Sequence, residues 1–179
     1  MGGKVAMHLA LNHPQRVTGL AVVDMSPVNY PHDFDDVLEA FRTVDLATLG
    51  NRSDADARMT DKVALPGVRA FLLQNLVKRD GAWVWRLNLD ALAACQKDIL
   101  GFPEQLRETV YSGPVAFIYG ELSDYVKPEY EPRIRTLFPN ASLCPVPRAG
   151  HWVYAEQPQG FLSCLDRFLG RQANINDDP

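Results

Sequence analysis

Cysteine is scarce in this chain: Cys95, Cys144 and Cys164 are an odd number, widely spaced, with no C-x-x-C pair. That usage excludes a disulfide scaffold and fits a reducing compartment, with at most one incidental bridge. The four histidines, His8, His13, His32 and His151, form no H-x-x-x-H or H-E-x-x-H arrangement, so a metal site is not expected. No uninterrupted apolar run approaches the roughly 18 residues that a membrane span requires. A basic stripe is also missing. Eighteen Lys and Arg stand against 22 Asp and Glu, a net charge of −4, so nucleic acid, anionic membranes and polyphosphates are not expected partners. Met1-Gly2-Gly3-Lys4 is followed by an amphipathic stretch and not by a long apolar run, so the N-terminus does not read as a secretory signal.

What is present is a 179-residue chain, 46% hydrophobic and 22% charged, the balance of a soluble globular protein with one sizeable core. Val5, Ala6, Leu9 and Ala10 share a helical face, which Asn12-His13-Pro14 ends. The run Val17 to Val23 reads as a strand buried on both faces, as in a parallel sheet, and Asp24 closes it. Residues 31–110 change character. The stretch from His32 to Asp61 holds eight acidic residues against three arginines. Phe34, Val37, Leu38 and Phe41 mark one amphipathic helix, and Asn51 to Thr60 is polar with few core candidates. Pro66-Gly67 opens a second helix, Arg79-Asp80-Gly81 is a turn before the aromatic Trp83-Val84-Trp85, and a short helix follows from Ala91 to Lys97. This block reads as a mostly helical insertion. After it, Val115 to Tyr119 is a buried strand, Pro128 to Phe138 a helix, Ser142 to Val146 a weaker strand and Phe161 to Leu169 a closing amphipathic helix. Residues 171–179 read as a frayed tail.

Three groups of residues carry a resemblance. Met1-Gly2-Gly3-Lys4 is similar to the residues that follow the nucleophile in a G-H-S-M-G-G-K elbow. Val23-Asp24-Met25-Ser26-Pro27-Val28 is similar to the end of a sixth strand. Gly150-His151-Trp152, with Ala155-Glu156-Gln157-Pro158 behind it, is similar to a catalytic-histidine loop and its following helix. On these, with the stretches Asn75-Leu76-Val77 and Trp85 to Leu92, the chain resembles the α/β-hydrolase family over residues 1 to about 170. Within the family it is most similar to the small bacterial acyl esterases and their mitochondrial relative. The resemblance implies the C-terminal half of an α/β-hydrolase parallel sheet. Residues 1–30 and 111–170 would form the partial core, and residues 31–110 a helical cap.

The resemblance also implies a serine hydrolase of short or medium acyl esters or thioesters that needs no metal and no cofactor, with the nucleophilic serine expected immediately before Met1 in the intact polypeptide. His151 is then the base. Two carboxylates compete for the acid: Asp24 at the end of the sixth strand, and Asp124 in the loop after the seventh, one residue beyond the common G-x-x-D spacing from Gly120. Asp90 matches a cap position but suits a helix N-cap or surface role better. Met1 would supply an oxyanion N–H, and Gly2 and Gly3 would let the helix start approach its neighbouring strand. Phe71, Trp83, Trp85 and Trp152, with Tyr125 and Tyr154, are candidates to line an acyl pocket. Ser26 precedes a proline without a strand-turn-helix elbow and is not a substitute nucleophile; Cys144 reads as a small buried hydrophobe.

As it stands the chain is expected to lack turnover; the alternative is a hydrolase remnant acting as a binding or interaction protein. A cytoplasmic location is expected, with a mitochondrial address left open. The edge of the Val17–Val23 strand is expected to promote self-association.

Overall fold

A computed structural model describes residues 1–31, 34–106 and 108–176, the last six by their backbone alone. In chain order the elements are α1 (Gly2–Asn12), β1 (Leu20–Val23), α2 (Asp35–Arg42), α3 (Arg52–Met59), α4 (Pro66–Leu72), β2 (Leu76–Arg79) and β3 (Ala82–Trp85). There follow α5 (Leu89–Ala94), α6 (Gln96–Leu100), β4 (Val115–Gly120), α7 (Glu131–Leu137), β5 (Ala141–Val146), α8 (Val153–Glu156) and α9 (Pro158–Asn176). The chain divides into two compact units, one made of Met1–Tyr30 and the residues from Leu100 onward, the other of Pro31–Ile99. The insertion read from the sequence ran to residue 110. It ends instead at Ile99, because Phe102 donates its N–H to Asn29 Oδ1 and Tyr111 donates its hydroxyl to the Val17 carbonyl.

The first unit is built on a parallel sheet in the order β1-β4-β5, with Leu20 opposite Val115 and Val115 opposite Ala141. β4 is central, and its five apolar residues between Gly113-Pro114 and Gly120 are what a strand covered on both faces requires. Phe117 meets Phe138 edge to face, ring centroids 5.8 Å apart, while Ala116 and Ile118 cluster with Val153, Cys164 and Phe168. Burying one such ring is worth about 2–3 kcal/mol. β1 is shorter than the apolar run suggested. Val17 closes the turn of Pro14–Arg16, and Ala21 is exposed, so β1 is not buried on both faces. Among the described residues β1 has a strand neighbour on one side only.

Two further expectations are corrected here. Cys144 is not a buried thiol: it forms a disulfide with Cys164, because α9 lies against β5 with a Cα–Cα separation of 6.1 Å. The tail expected from Arg171 is helical as far as Asn176, and residues 177–179 lie outside the described residues. Gly3 makes the close approach expected of it, since an added Cβ would meet Met25 and Val22 at 3.0–3.1 Å; Gly2 faces open space.

Among its described residues the second unit has five α-helices and one hairpin around its own core of Phe41, Val44, Met59, Leu72, Leu73 and Leu76. Asn51 to Thr60 folds as helix α3 despite its polarity. Asn51 and Asp54 form a reciprocal capping box, and Ala55 and Met59 are buried. β2 and β3 pair antiparallel, Leu76 opposite Trp85, across Asp80-Gly81, both with positive φ as the tight hairpin turn demands. Among the described residues, no helix is long and apolar enough to cross a membrane, and no cluster of ligating side chains could hold a metal ion.

Candidate active site

Because β1 and β4 run parallel in register, the turn leaving β1 and the loop leaving β4 emerge at the same end of the sheet, as does the loop leaving β5. In open α/β sheets this carboxyl end is where ligands are bound. Asp24 follows β1 directly, with φ of 47°, a left-handed conformation that costs about 1 kcal/mol and that Asp tolerates better than most residues. The turn drives its side chain inward. Only 1% of that side chain is exposed, and three donors hold it. Gly120 N–H reaches Oδ1 at 3.1 Å, while the Ser123 hydroxyl at 2.5 Å and His151 Nδ1 at 2.7 Å share Oδ2. An ionised carboxylate only accepts, so Nδ1 carries the proton and Nε2 is left as the acceptor nitrogen.

The loop carrying His151 is held from both sides. Glu156, at the end of α8, accepts the Gly150 N–H at 2.7 Å on one oxygen and the Trp152 N–H at 3.1 Å on the other. Its carboxylate thus clamps the peptides on either side of the histidine. Gly120 is fitted to the same loop. A Cβ there would lie 2.2 Å from the Gly150 carbonyl oxygen and 2.4 Å from that of Ala149, so no other residue allows this approach. Leu122 N–H completes the contact by donating to the Ala149 carbonyl. The His151 side chain is 47% exposed, and the Tyr125 ring lies against it with centroids 4.2 Å apart and planes tilted by 30°. Burial, and secondly the charge of Asp24, push the Tyr125 phenol pKa up.

The structure therefore brings Asp24 to His151 and does not bring Asp124 there. Asp124 is 81% exposed and pairs with Lys127 at 3.0 Å, three residues on. Asp90 lies exposed in the first turn of α5, where Asn88, and not Asp90, is the N-cap. Met1 caps the start of α1, its carbonyl accepting the N–H groups of Lys4 and Val5. Trp152 is half-buried at the start of α8. In the second unit, Phe71 is exposed, whereas Trp83 and Trp85 pack on that unit's own core, Trp85 edge-on to Phe41 at 4.8 Å. Ser26 is wholly buried, and its hydroxyl donates to the Tyr125 carbonyl at 2.7 Å.

Ser123 and Glu156 are the parts of the site that sequence reasoning did not place, while Tyr125, a candidate to line the acyl pocket, lies against the His151 ring. For Ser123 a signal existed. Counting the G-x-x spacing from Gly120 arrives at Ser123, one residue before the aspartate that drew attention.

A family model described as the alpha/beta hydrolase fold matches residues 1–158. The chain is 43% identical over 175 residues to the sn-1-specific diacylglycerol lipase ABHD11 of Mus musculus, covering 94% of this chain and 56% of the relative. It is 32% identical over 170 residues to esterase YbfF of Escherichia coli, covering 94% and 64%. A solved marine microorganism esterase superposes with a TM-score of 0.87 at 29% identity, covering 93% of this chain and 66% of that one. The chain thus spans from a little over half to about two thirds of the length of these relatives.

Proposed function

The chain belongs to the α/β-hydrolase family, and from its site we propose that the intact polypeptide is a serine hydrolase of short or medium acyl esters or thioesters, with Asp24 and His151 as acid and base. The observation that carries this reading is the 2.7 Å contact between Asp24 Oδ2 and His151 Nδ1 at the carboxyl end of the sheet. In the proposed reaction a serine immediately preceding Met1 attacks the acyl carbonyl as His151 Nε2 takes its proton. The imidazolium then returns that proton to the leaving alkoxide or thiolate, and a water repeats the sequence to release the acid. Asp24 holds the tautomer and offsets the charge on the ring. The Met1 N–H is proposed as one oxyanion donor, and Trp152 as a wall of the acyl site. The names of the relatives, a diacylglycerol lipase and two esterases, support an ester substrate.

The test is a polypeptide carrying Gly-His-Ser directly before Met1, assayed on p-nitrophenyl esters of increasing acyl length. Asp24→Asn is expected to lower kcat by roughly a thousandfold or more, His151→Ala at least as much, and Asp124→Asn hardly at all. Absence of any turnover would favour a binding remnant. For the chain of 179 residues, the unpaired side of β1 supports self-association, and a sharp monomeric gel-filtration peak would oppose it.

A further inference from the structure

A histidine held by one hydrogen bond and half open to solvent is free to swing about its side-chain bonds, unless something occupies a face of the ring. In this chain Tyr125 does so, and its own placement is unusually constrained. The Tyr125 carbonyl accepts from both the buried Ser26 hydroxyl at 2.7 Å and the Tyr30 hydroxyl at 2.8 Å. Its N–H donates to Ser123 Oγ at 3.2 Å, the same oxygen that donates to Asp24. Tyr30 in turn accepts the Ser26 N–H at 2.6 Å and sets its ring edge-on to Tyr125, centroids 5.0 Å apart. The Lys4 ammonium lies over the Tyr30 ring, 4.4 Å from its centroid. Lys4 is itself buried and donates to the carbonyls of Val28, Leu100 and Gly101.

We infer that Tyr125 is a positioning residue for His151: its ring, fixed by Ser26 and Tyr30, forms a shelf that keeps the imidazole in line with Asp24. The inference rests on the pairing of Asp24 with His151 proposed above. Two independent links join Tyr125 to that pair. Its peptide N–H reaches Asp24 through Ser123, and its ring lies on the imidazole. The buried Ser26 acquires a use in this arrangement: it holds the shelf and takes no part in chemistry. What the shelf requires of residue 125 is a flat aromatic face against the imidazole, which Phe also offers and Leu does not. Phe must therefore substitute and Leu must not.

The experiment uses the 179-residue chain with 15N-labelled histidine, His151→Gln assigning the His151 signals. Ring nitrogen shifts above neutral pH report the tautomer. Wild type and Tyr125→Phe are expected to show a single Nδ1–H form, with ring protons displaced upfield by the aromatic face. Tyr125→Leu is expected to lose both signatures and give averaged nitrogen shifts. A Tyr125→Leu protein that keeps the single Nδ1–H form overturns the shelf. So does a wild type whose imidazole protons show no upfield displacement, a readout that needs no destabilising variant. If Asp24→Asn leaves the wild-type tautomer untouched, the pairing of Asp24 with His151 itself has failed, an outcome distinct from either of these.

Discussion

The turn that leaves β1 and the loop that leaves β4 each place an aspartate near the carboxyl end of a parallel strand, and they treat it oppositely. Asp24 is buried in a left-handed turn with three donors on its two oxygens, while Asp124 stands in water beside Lys127. The same residue type at equivalent ends of neighbouring strands therefore meets two different media. A carboxylate in the first is expensive to bury and strongly paired; one in the second is solvated and weakly coupled. The difference teaches that strand-end position alone does not bring an aspartate to His151. What distinguishes Asp24 is the set of donors converging on its carboxylate, and here β4 and its loop contribute two of them.

Removing the buried carboxylate is expected to have the largest effect. Asp24→Ala leaves the Gly120 N–H and the Ser123 hydroxyl without their acceptor and puts a Cβ residue with no polar compensation at positive φ. It is expected to cost about 3 kcal/mol, read from urea unfolding. A loss below that of any surface substitution would erase the contrast between the two turns.

The next effect concerns how the β1 turn is tied down. Lys4 Nζ reaches the Val28 carbonyl at 2.8 Å and those of Leu100 and Gly101, and burial pushes its pKa from the ordinary 10.5 down to about 8. Between these two values the unfolded chain holds a proton on this lysine that the folded chain has released. The Lys4 contribution to stability is thus complete above 10.5 and lost as pH falls through 8. Other groups titrate in this window, so the informative quantity is the difference between wild type and Lys4→Met. That gap is expected to widen by on the order of 2 kcal/mol from pH 8 to pH 10.5. A gap that stays constant would mean that the three carbonyls hold the ammonium charged throughout.

Ser123→Ala ranks third. It takes one donor from Asp24 and the acceptor from Tyr125 N–H, and is expected to cost about 1 kcal/mol. It is also expected to narrow the difference between the two turns, since Asp24 is then held by two donors in place of three.

Much of this arrangement was legible in the sequence, and what was not has physical reasons. β4 stood out because five apolar residues lie between Gly113-Pro114 and Gly120, and α9 because its apolar face repeats at helical spacing. β1 was read too long, since Val17 is spent on closing a turn and apolarity alone does not distinguish a strand from its approach. α3 was missed as a core element because its stability comes from the Asn51–Asp54 cap and from only two buried side chains. The cysteine count allowed a bridge without saying which pair, and 20 residues separate Cys144 from Cys164. Both rival acids were visible, but the choice between them depends on which turn points inward, and 127 residues separate Asp24 from His151. Local pattern carries no information over such a span.

The smallest expected effect lies on the exposed side of the comparison. Asp124 and Lys127 are 3.0 Å apart in an i,i+3 pair, and the hydrogen bond and charge of Asp124 raise the Lys127 pKa. Such a pair is real electrostatically, yet both partners are solvated, and water and salt recover most of what the contact offers. Asp124→Asn is therefore expected to leave the urea midpoint where it was, while the Lys127 pKa, followed by NMR, moves back down toward its ordinary value. In wild type, added salt is expected to shift the Lys127 titration in the same direction. A midpoint that falls as far for Asp124→Asn as for Asp24→Ala would show that the loop leaving β4 depends on its own aspartate, and the two turns would no longer differ in kind.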